Sequence, residues 1–374
     1  MRYLFSATAA IVLTLNASAA DISPLIAKIK AVGPDGVGSV EAAAAWKQLS
    51  HQGLDSVIPI LSAIDGASPL AANWLCSAVD AVIERAGSQP LPSADLEKFL
   101  ANRSHAARAR RLAYELICRA NPTAPESWLP RFFDDPAPEL RFVAVKSAFE
   151  KVKGAPKEDA AAIKELDRLL QASRNFDQIE EIAKALDDRG EKRDLTDHFG
   201  FLKSWHVIGP FDNANGTAGF AQVFPPETKV DLNAELPGKA GPVKWQVTTS
   251  TAQYAPIDLN KVLGKHKNAV AYAYAEVNSP EAEDVEVRVA SATGVKAFVN
   301  GKEVLARESY HQGMTPDSHI AAVRLQKGRN TILVKIVQND EKMQHQQEWQ
   351  FQLRVTDASG AKAKVEQVSP VTAK

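Results

Sequence analysis

The hydrophobic period of this chain changes near residue 195. Upstream, apolar residues recur every three or four positions in alanine-rich stretches. Downstream they alternate every second residue, in short runs broken by Gly, Pro and Asn-Gly. The first pattern suits helices with one apolar stripe, and the second suits strands with one apolar face. Segments of these two kinds seldom share a core. The pattern therefore predicts two domains fused end to end, a helical one over 21–195 and a strand-built one over 196–374. A chain of 374 residues is long enough for both to bury full-sized cores.

The residues before 21 read as a secretory signal. Arg2 supplies the positive start, Ala9 to Leu15 the short apolar core, and Ala17-Ser18-Ala19 the small-residue cleavage site. That core is too short to span a bilayer, and no later run reaches spanning length. No cysteine follows the signal, so a lipid anchor is not expected. The expected product is exported, periplasmic or secreted, and soluble, beginning near Ala20 or Asp21. A formal net charge of -1, with no like-charge block, gives no field to draw nucleic acid or an anionic membrane. Export permits disulfides, and Cys76 and Cys118 are the two cysteines. Both fall in helical patterns among apolar neighbours. Their spacing leaves open a single bridge between helices or two buried thiols.

Within the helical half, Ser39-Val40-Glu41 opens a helix running past Trp46 to Leu49. Two further stripes follow, over Val57 to Ile64 and over Leu70 to Ile83. Helices of this length cannot bury a stripe alone. Two later segments read as copies of one unit, LEKFLANRSHAARARRLAYELI from Leu96 and LPRFFDDPAPELRFVAVKSAFEKV from Leu129. Aligned on their leucines, Phe99 meets Phe132, Asn102 meets Asp135, and Arg108 meets Arg141. A looser copy starts at Val57. Each predicts a helix, a turn and a second helix, which is a stackable hairpin. At Asp134-Asp135-Pro136-Ala137-Pro138-Glu139-Leu140-Arg141 the chain resembles the HEAT-type helical repeat, over roughly residues 40 to 190. The resemblance implies an interaction surface that docks a protein partner. Helices over Lys157 to Leu170 and Gln178 to Leu186 precede the mixed-charge segment Asp187 to Asp194, the expected boundary.

In the strand half, Trp205 to Phe211 reads as a strand stopped by Gly209-Pro210, followed by the polar loop Asp212 to Gly219. Ala269 to Val277 is apolar on both faces, as a covered central strand is. Val295, Ala297 and Val299 alternate into Asn300-Gly301, a strong hairpin signal. Phe351, Leu353 and Val355 alternate with Gln352 and Arg354. Eight or so such strands predict an antiparallel β-sandwich. The hairpin at Val295 to Val304 and the strand at Leu325 to Lys335 resemble the galactose-binding-like jelly roll, including the sugar-binding domain of family 2 glycoside hydrolases. That likeness covers residues 268 to 357. It implies the fold firmly and a function only in outline, because this jelly roll serves sugar binding, protein docking and structure alike.

The candidate ligand residues lie mostly on one long loop, Arg307 to His319. Tyr310 can stack on a sugar face, while Arg307, His311, Asp317 and His319 offer hydrogen bonds. Tyr254 is either a core aromatic or a stacking platform, and Trp245 reads as core. The spacing of His311, Asp317 and His319 matches no zinc pattern, and Asp212, Asn213 and Asn215 lack the spaced acids of a calcium loop. No metal or cofactor is expected. Nucleophile elbow, H-E-x-x-H, phosphate loop and haem attachment motifs are all missing, so catalysis has no support. The expected protein is multidomain α + β, a HEAT-like α-helical array followed by a jelly-roll sandwich. Its expected role is non-catalytic binding or scaffolding, with carbohydrate on the sandwich. The alternatives are a protein-interaction module of an envelope assembly and, more remotely, an accessory hydrolase.

Overall fold

The computed structural model describes residues 21–339 and 348–370; the expected signal segment, 1–20, lies outside them. The chain forms two compact units, one ending at Lys151 and the other beginning at Val152. The change of hydrophobic period and the division into units therefore fall at different places.

The first unit is helical. Its elements are α1 (Ser23–Lys30), α2 (Ser39–Leu49), α3 (Val57–Ala63), α4 (Pro69–Ala86), α5 (Ser93–Ala101), α6 (Ala107–Ala120), α7 (Ala124–Trp128) and α8 (Pro138–Val152). Leu75, Val79 and Val82 of α4 recur at helical spacing and are buried, as are Ala109, Ala113, Leu116 and Ile117 of α6. Ser68 caps α4 by accepting from the Ala71 N–H, with Pro69 at its first position. The first two expected hairpin copies are each a pair of helices joined by a turn, α3 with α4 and α5 with α6; in the third, Leu129–Arg131 forms only a single 3-10 turn before α8. Their turns are tied in series. Asp65, in the first, accepts hydrogen bonds from the Ala106 N–H and from His105 Nδ1, both at 2.7 Å. Arg110 of the second makes a bidentate ion pair with Asp135 of the third, at 2.6 and 2.7 Å. Arg110 and Asp135 are buried, and Asp135 also accepts from the Ala137 N–H at 2.9 Å. Satisfying every polar atom in this way is what makes a buried ion pair tolerable. Cys76 and Cys118 are free thiols, Cys76 buried and Cys118 half-buried.

The second unit begins with helices α9 (Ala160–Ala172), α10 (Phe176–Asp187) and α11 (Leu195–Phe199). Strand β1 (Ser204–Asp212) follows, then two short helical turns, α12 (Ala218–Ala221) and α13 (Pro225–Thr228). The hairpin β2 (Glu235–Gly238) and β3 (Gly241–Lys244) leads to β4 (Gln246–Thr249), β5 (Ile257–Asp258) and the turn α14 (Leu259–Val262). The remaining strands are β6 (Ala269–Ser279), β7 (Asp284–Ser291), β8 (Gly294–Val299), β9 (Lys302–Arg307), β10 (His319–Arg324), β11 (Gly328–Gln338), β12 (Gln350–Thr356) and β13 (Glu366–Gln367).

Apart from the two-stranded β2–β3 hairpin, these strands make two antiparallel sheets. One has the order β4-β1-β6-β11-β8-β9, with β13 also pairing β6, and the other has the order β10-β7-β12-β5. Between them Val207, Ala271, Ala273, Val334, Ile336, Val295 and Ala297 face Val285, Val287, Val289, Leu353 and Val355. Trp205 and Trp349 are fully buried in the same core. The alternation read from β12 and from β7 is the one that builds this interior.

Two local expectations differ from what is found. Gly209-Pro210 does not stop β1; the strand passes through it with a shift of register against β6 between Ile208 and Phe211. The loop after it is not simply solvated. Asn213 is buried, donating to the Gln338 carbonyl and accepting from the Gly219 N–H. The Asn300-Gly301 hairpin is as expected, with both residues at positive φ, 51° and 77°.

Candidate functional site

Side chains alternate across a strand, so the larger sheet must present a second face away from the core. Its register puts His206, Tyr274, Leu333 and Phe298 in one row across β1, β6, β11 and β8. The next row holds Ile208, Tyr272, Lys335 and Lys296. This outer face is aromatic. Phe211, Phe224, Tyr272, Tyr274 and Phe298 form a cluster on it, with Trp245, Phe220 and Tyr310 at its margin.

One half of the face is closed by the segment after β1. Lys335 is fully buried there, its Nζ donating to the carbonyls of Phe220 and Gln222 and to Glu227 Oε1 at 2.9 Å. The ammonium also lies 5.4 Å from the Phe224 ring and 5.9 Å from the Tyr272 ring. Tyr272 donates its hydroxyl to the same Glu227 carboxylate. Burial pulls the Lys335 ammonium below the ordinary lysine range, an effect Glu227 partly offsets. A carboxylate, an ammonium and a phenol thus pin α12 and α13 to the sheet.

The other half of the face is open. A cavity of about 190 Å³ is lined by Ser204, His206, Leu232, Tyr274, Glu276 and Arg329, with residues 368–370 along one side. Tyr274 donates its hydroxyl to Glu276 Oε1 at 2.6 Å, and Arg329 pairs with the same oxygen. Burial, together with the Glu276 carboxylate, pushes the Tyr274 phenol up to about 12. Burial pulls His206 below its ordinary value, against the pull of Glu276. Trp245 packs edge-on against Tyr274, with ring centroids 6.4 Å apart. Its indole N–H is buried and has no hydrogen-bond partner in the protein. The hollow therefore has an aromatic floor, with a carboxylate, a guanidinium, an imidazole and a hydroxyl on its rim. Such a surface suits a small polyhydroxylated ring with one apolar face.

The residues expected from the sequence to bind a ligand are distributed over different faces. Tyr310 joins the margin of the aromatic outer face, near Gly294, and donates to Glu308. His311 Nε2 lies 3.1 Å from Asn339 Nδ2. Asp317 lies at the outer face of the smaller sheet, where its carboxylate binds Arg354 and, at 2.7 Å, Arg288. His319 pairs with Val289 and so points towards the inter-sheet core. Its Nε2 is buried without a partner, and burial plus the Arg307 charge hold its imidazole below the ordinary value. Arg307, at the end of β9, donates to the Ala306 carbonyl. Tyr254 belongs to an aromatic cluster with Phe176, Phe199 and Phe201, and donates to Glu180. The five side chains of the 307–319 loop and Tyr254 therefore lie at separate places in the unit. Sequence reading missed His206, Tyr274, Glu276 and Arg329. The available signal was the AYAYAE alternation, which puts Tyr272, Tyr274 and Glu276 on one face.

Among the described residues, no group of three or more His, Cys, Asp and Glu is placed to hold a metal ion. Nor is any helix there long and apolar enough to cross a membrane.

No family model and no curated protein matches the chain. Solved structures do, in part. A β-glucosidase from Kluyveromyces marxianus in complex with glucose matches at 13% identity over 30% of this chain and 14% of its own, with a TM-score of 0.22. A family 35 carbohydrate binding module from Clostridium thermocellum matches at 16% identity over 24% of this chain and 71% of its own, TM-score 0.18. A β-glucuronidase from an uncultured Clostridium sp. matches at 16% identity over 42% of this chain and 28% of its own, TM-score 0.27. The chain thus spans less than a third of either glycosidase. At these scores the likeness carries no argument about ligand or activity.

Proposed function

We propose that this is a non-catalytic, exported binding protein whose sandwich takes up a carbohydrate in the hollow over Tyr274. The carrying observation is the combination of an aromatic floor with Glu276, Arg329 and His206 at the rim. A sugar ring offers hydroxyls that both donate to Glu276 and accept from Arg329, and C–H faces that lie against an aromatic ring. The helical unit is then a HEAT-like array that docks a protein partner. Support for that reading comes from the serial ties between its hairpin turns, Asp65 to Ala106 and Arg110 to Asp135.

Affinity electrophoresis of the full chain through gels containing single polysaccharides tests the sugar reading. Retardation by at least one glycan is expected, and Arg329→Gln and Glu276→Gln should each reduce it by about tenfold. Absence of retardation across a broad glycan panel would overturn the proposal. Retardation that both variants leave intact would move the site elsewhere.

A further inference from the structure

One polar group at the hollow over Tyr274 is buried without a partner. His206 is 8% exposed, lines the hollow, and makes no hydrogen bond through its ring to any described residue. Its ring lies 6.4 Å from that of Tyr274. A buried polar side chain is ordinarily paired. Neither ring nitrogen is sealed from solvent, so both open onto the hollow.

Beside it, one side of the Glu276 carboxylate is unused. Oε1 accepts from the Tyr274 hydroxyl at 2.6 Å and from Arg329 Nη2, while Oε2 has no partner among the described residues. The Glu276 side chain is 14% exposed and that of Arg329 66%. The guanidinium has N–H donors beyond those on Nη2. An acceptor oxygen thus lies next to guanidinium donors, and the two formal charges cancel. Such a pair matches two hydroxyls on neighbouring ring carbons, one donating and the other accepting.

The space is small. About 190 Å³ falls below the roughly 300–1,000 Å³ of pockets that hold drug-sized ligands, which leaves room for one ring. Residues 368–370 form a fixed wall on one side. The Val368 N–H donates to the Glu276 carbonyl at 2.9 Å, and Gln367 accepts from the Lys203 N–H at 2.9 Å.

Resting on the carbohydrate reading above, the geometry points to a single uncharged sugar residue as the ligand, its vicinal diol on Glu276 and Arg329 and a further hydroxyl on His206. A uronate binds less well, because its carboxylate would meet Glu276 or have to take Arg329 from it. His206 is then a ligand-binding residue, and its burial without a protein partner is explained.

Isothermal titration calorimetry of the full chain tests this with glucose, galactose, mannose and N-acetylglucosamine, and with glucuronate, galacturonate and mannuronate. At least one neutral sugar should bind saturably, and every uronate at least about tenfold more weakly than the best of them. His206→Ala and His206→Phe should each weaken the neutral sugar by about tenfold. His206→Gln, which keeps a donor and an acceptor, should stay within about threefold of the wild type. A uronate that binds as tightly as the best neutral sugar overturns the inference and leaves the carbohydrate reading standing. So does unchanged binding in either the alanine or the phenylalanine variant, or retardation by a polysaccharide with no monosaccharide bound below about 50 mM. No retardation by any glycan removes both.

Discussion

The two outer faces of the sandwich solve the same problem with opposite results. The smaller sheet buries its outer face against helices, with Arg354 as the centrepiece. Arg354 is almost wholly buried, lies 5.0 Å from the Phe176 ring and 5.5 Å from the Phe199 ring, and is neutralised by Asp317. Its Nη1 also donates to the carbonyls of Phe199 and Gly360. Close approach matters here. Gly200 follows α11 at a φ of 78°, and a Cβ on it would lie 2.9 Å from the Val355 carbonyl oxygen. The larger sheet uses Lys335 and Glu227 in the same way over half its outer face, and then stops. The other half keeps Tyr274, Glu276 and Arg329 beside a hollow. A sheet face that is closed by charge and aromatic packing is structural, whereas one closed only in part can receive a ligand.

The largest expected effect tests the closed face. Asp317→Ala strands the Arg354 guanidinium without its carboxylate and should cost about 3–5 kcal/mol in denaturant unfolding. If the loss is below about 1 kcal/mol, the ion cluster is not what closes this face. The pH dependence follows from the same pair. Burial pushes the Asp317 carboxyl up, but Arg354 and Arg288 more than reverse this and hold it below its ordinary value. Its stabilising contribution is therefore complete above the unfolded carboxylate value and is lost as pH falls through the folded one. The stability gap between the wild type and Asp317→Asn should shrink below about pH 4.

A somewhat smaller effect tests the half-closed face. Lys335→Met leaves the Glu227 carboxylate buried with the Tyr272 hydroxyl and the Phe224 N–H but no cation, and should cost about 3 kcal/mol. The double variant Lys335→Met with Glu227→Gln should recover most of that loss by thermal unfolding. No recovery would mean that the lysine acts through its packing on Phe224 and Tyr272 and not through charge. The smallest effect is expected at the open end. Tyr274→Phe removes one hydrogen bond to Glu276 and should cost about 1 kcal/mol. A loss as large as that at Asp317 would make the hollow part of the structural core.

The sequence carried much of the fold in local signals. Asn300-Gly301 demands two residues at positive φ between alternating strands, and the hairpin forms there. The helix pair from Leu96 and the helix after Leu129 were legible because apolar spacing and turn residues are short-range properties. The site was much less legible. Lys335 reads as one charge inside TILVKIV, yet it lies under α12 and α13, held by residues more than a hundred positions upstream. Asp317 and His319 are two residues apart yet serve opposite faces of the same sheet, because Asp317 sits at a φ of 61° in the turn before β10 and so falls outside the strand's alternation. Helices α9 to α11 have the helical period of the first half, but partners of theirs come from β12 and the turn after it, Arg354 and Ser359 among them.

Sequence alone determined the kinds of element and the places where turns interrupt them, since period, glycine and proline act through the nearest few residues. Tertiary structure decided which face of each sheet is sealed and which stays open. It also decided which charges pair, and that the helices over 160–199 belong with the sandwich. Those outcomes depend on side chains far apart in the chain meeting in space, where burial makes each charge find a partner and each aromatic face find a neighbour.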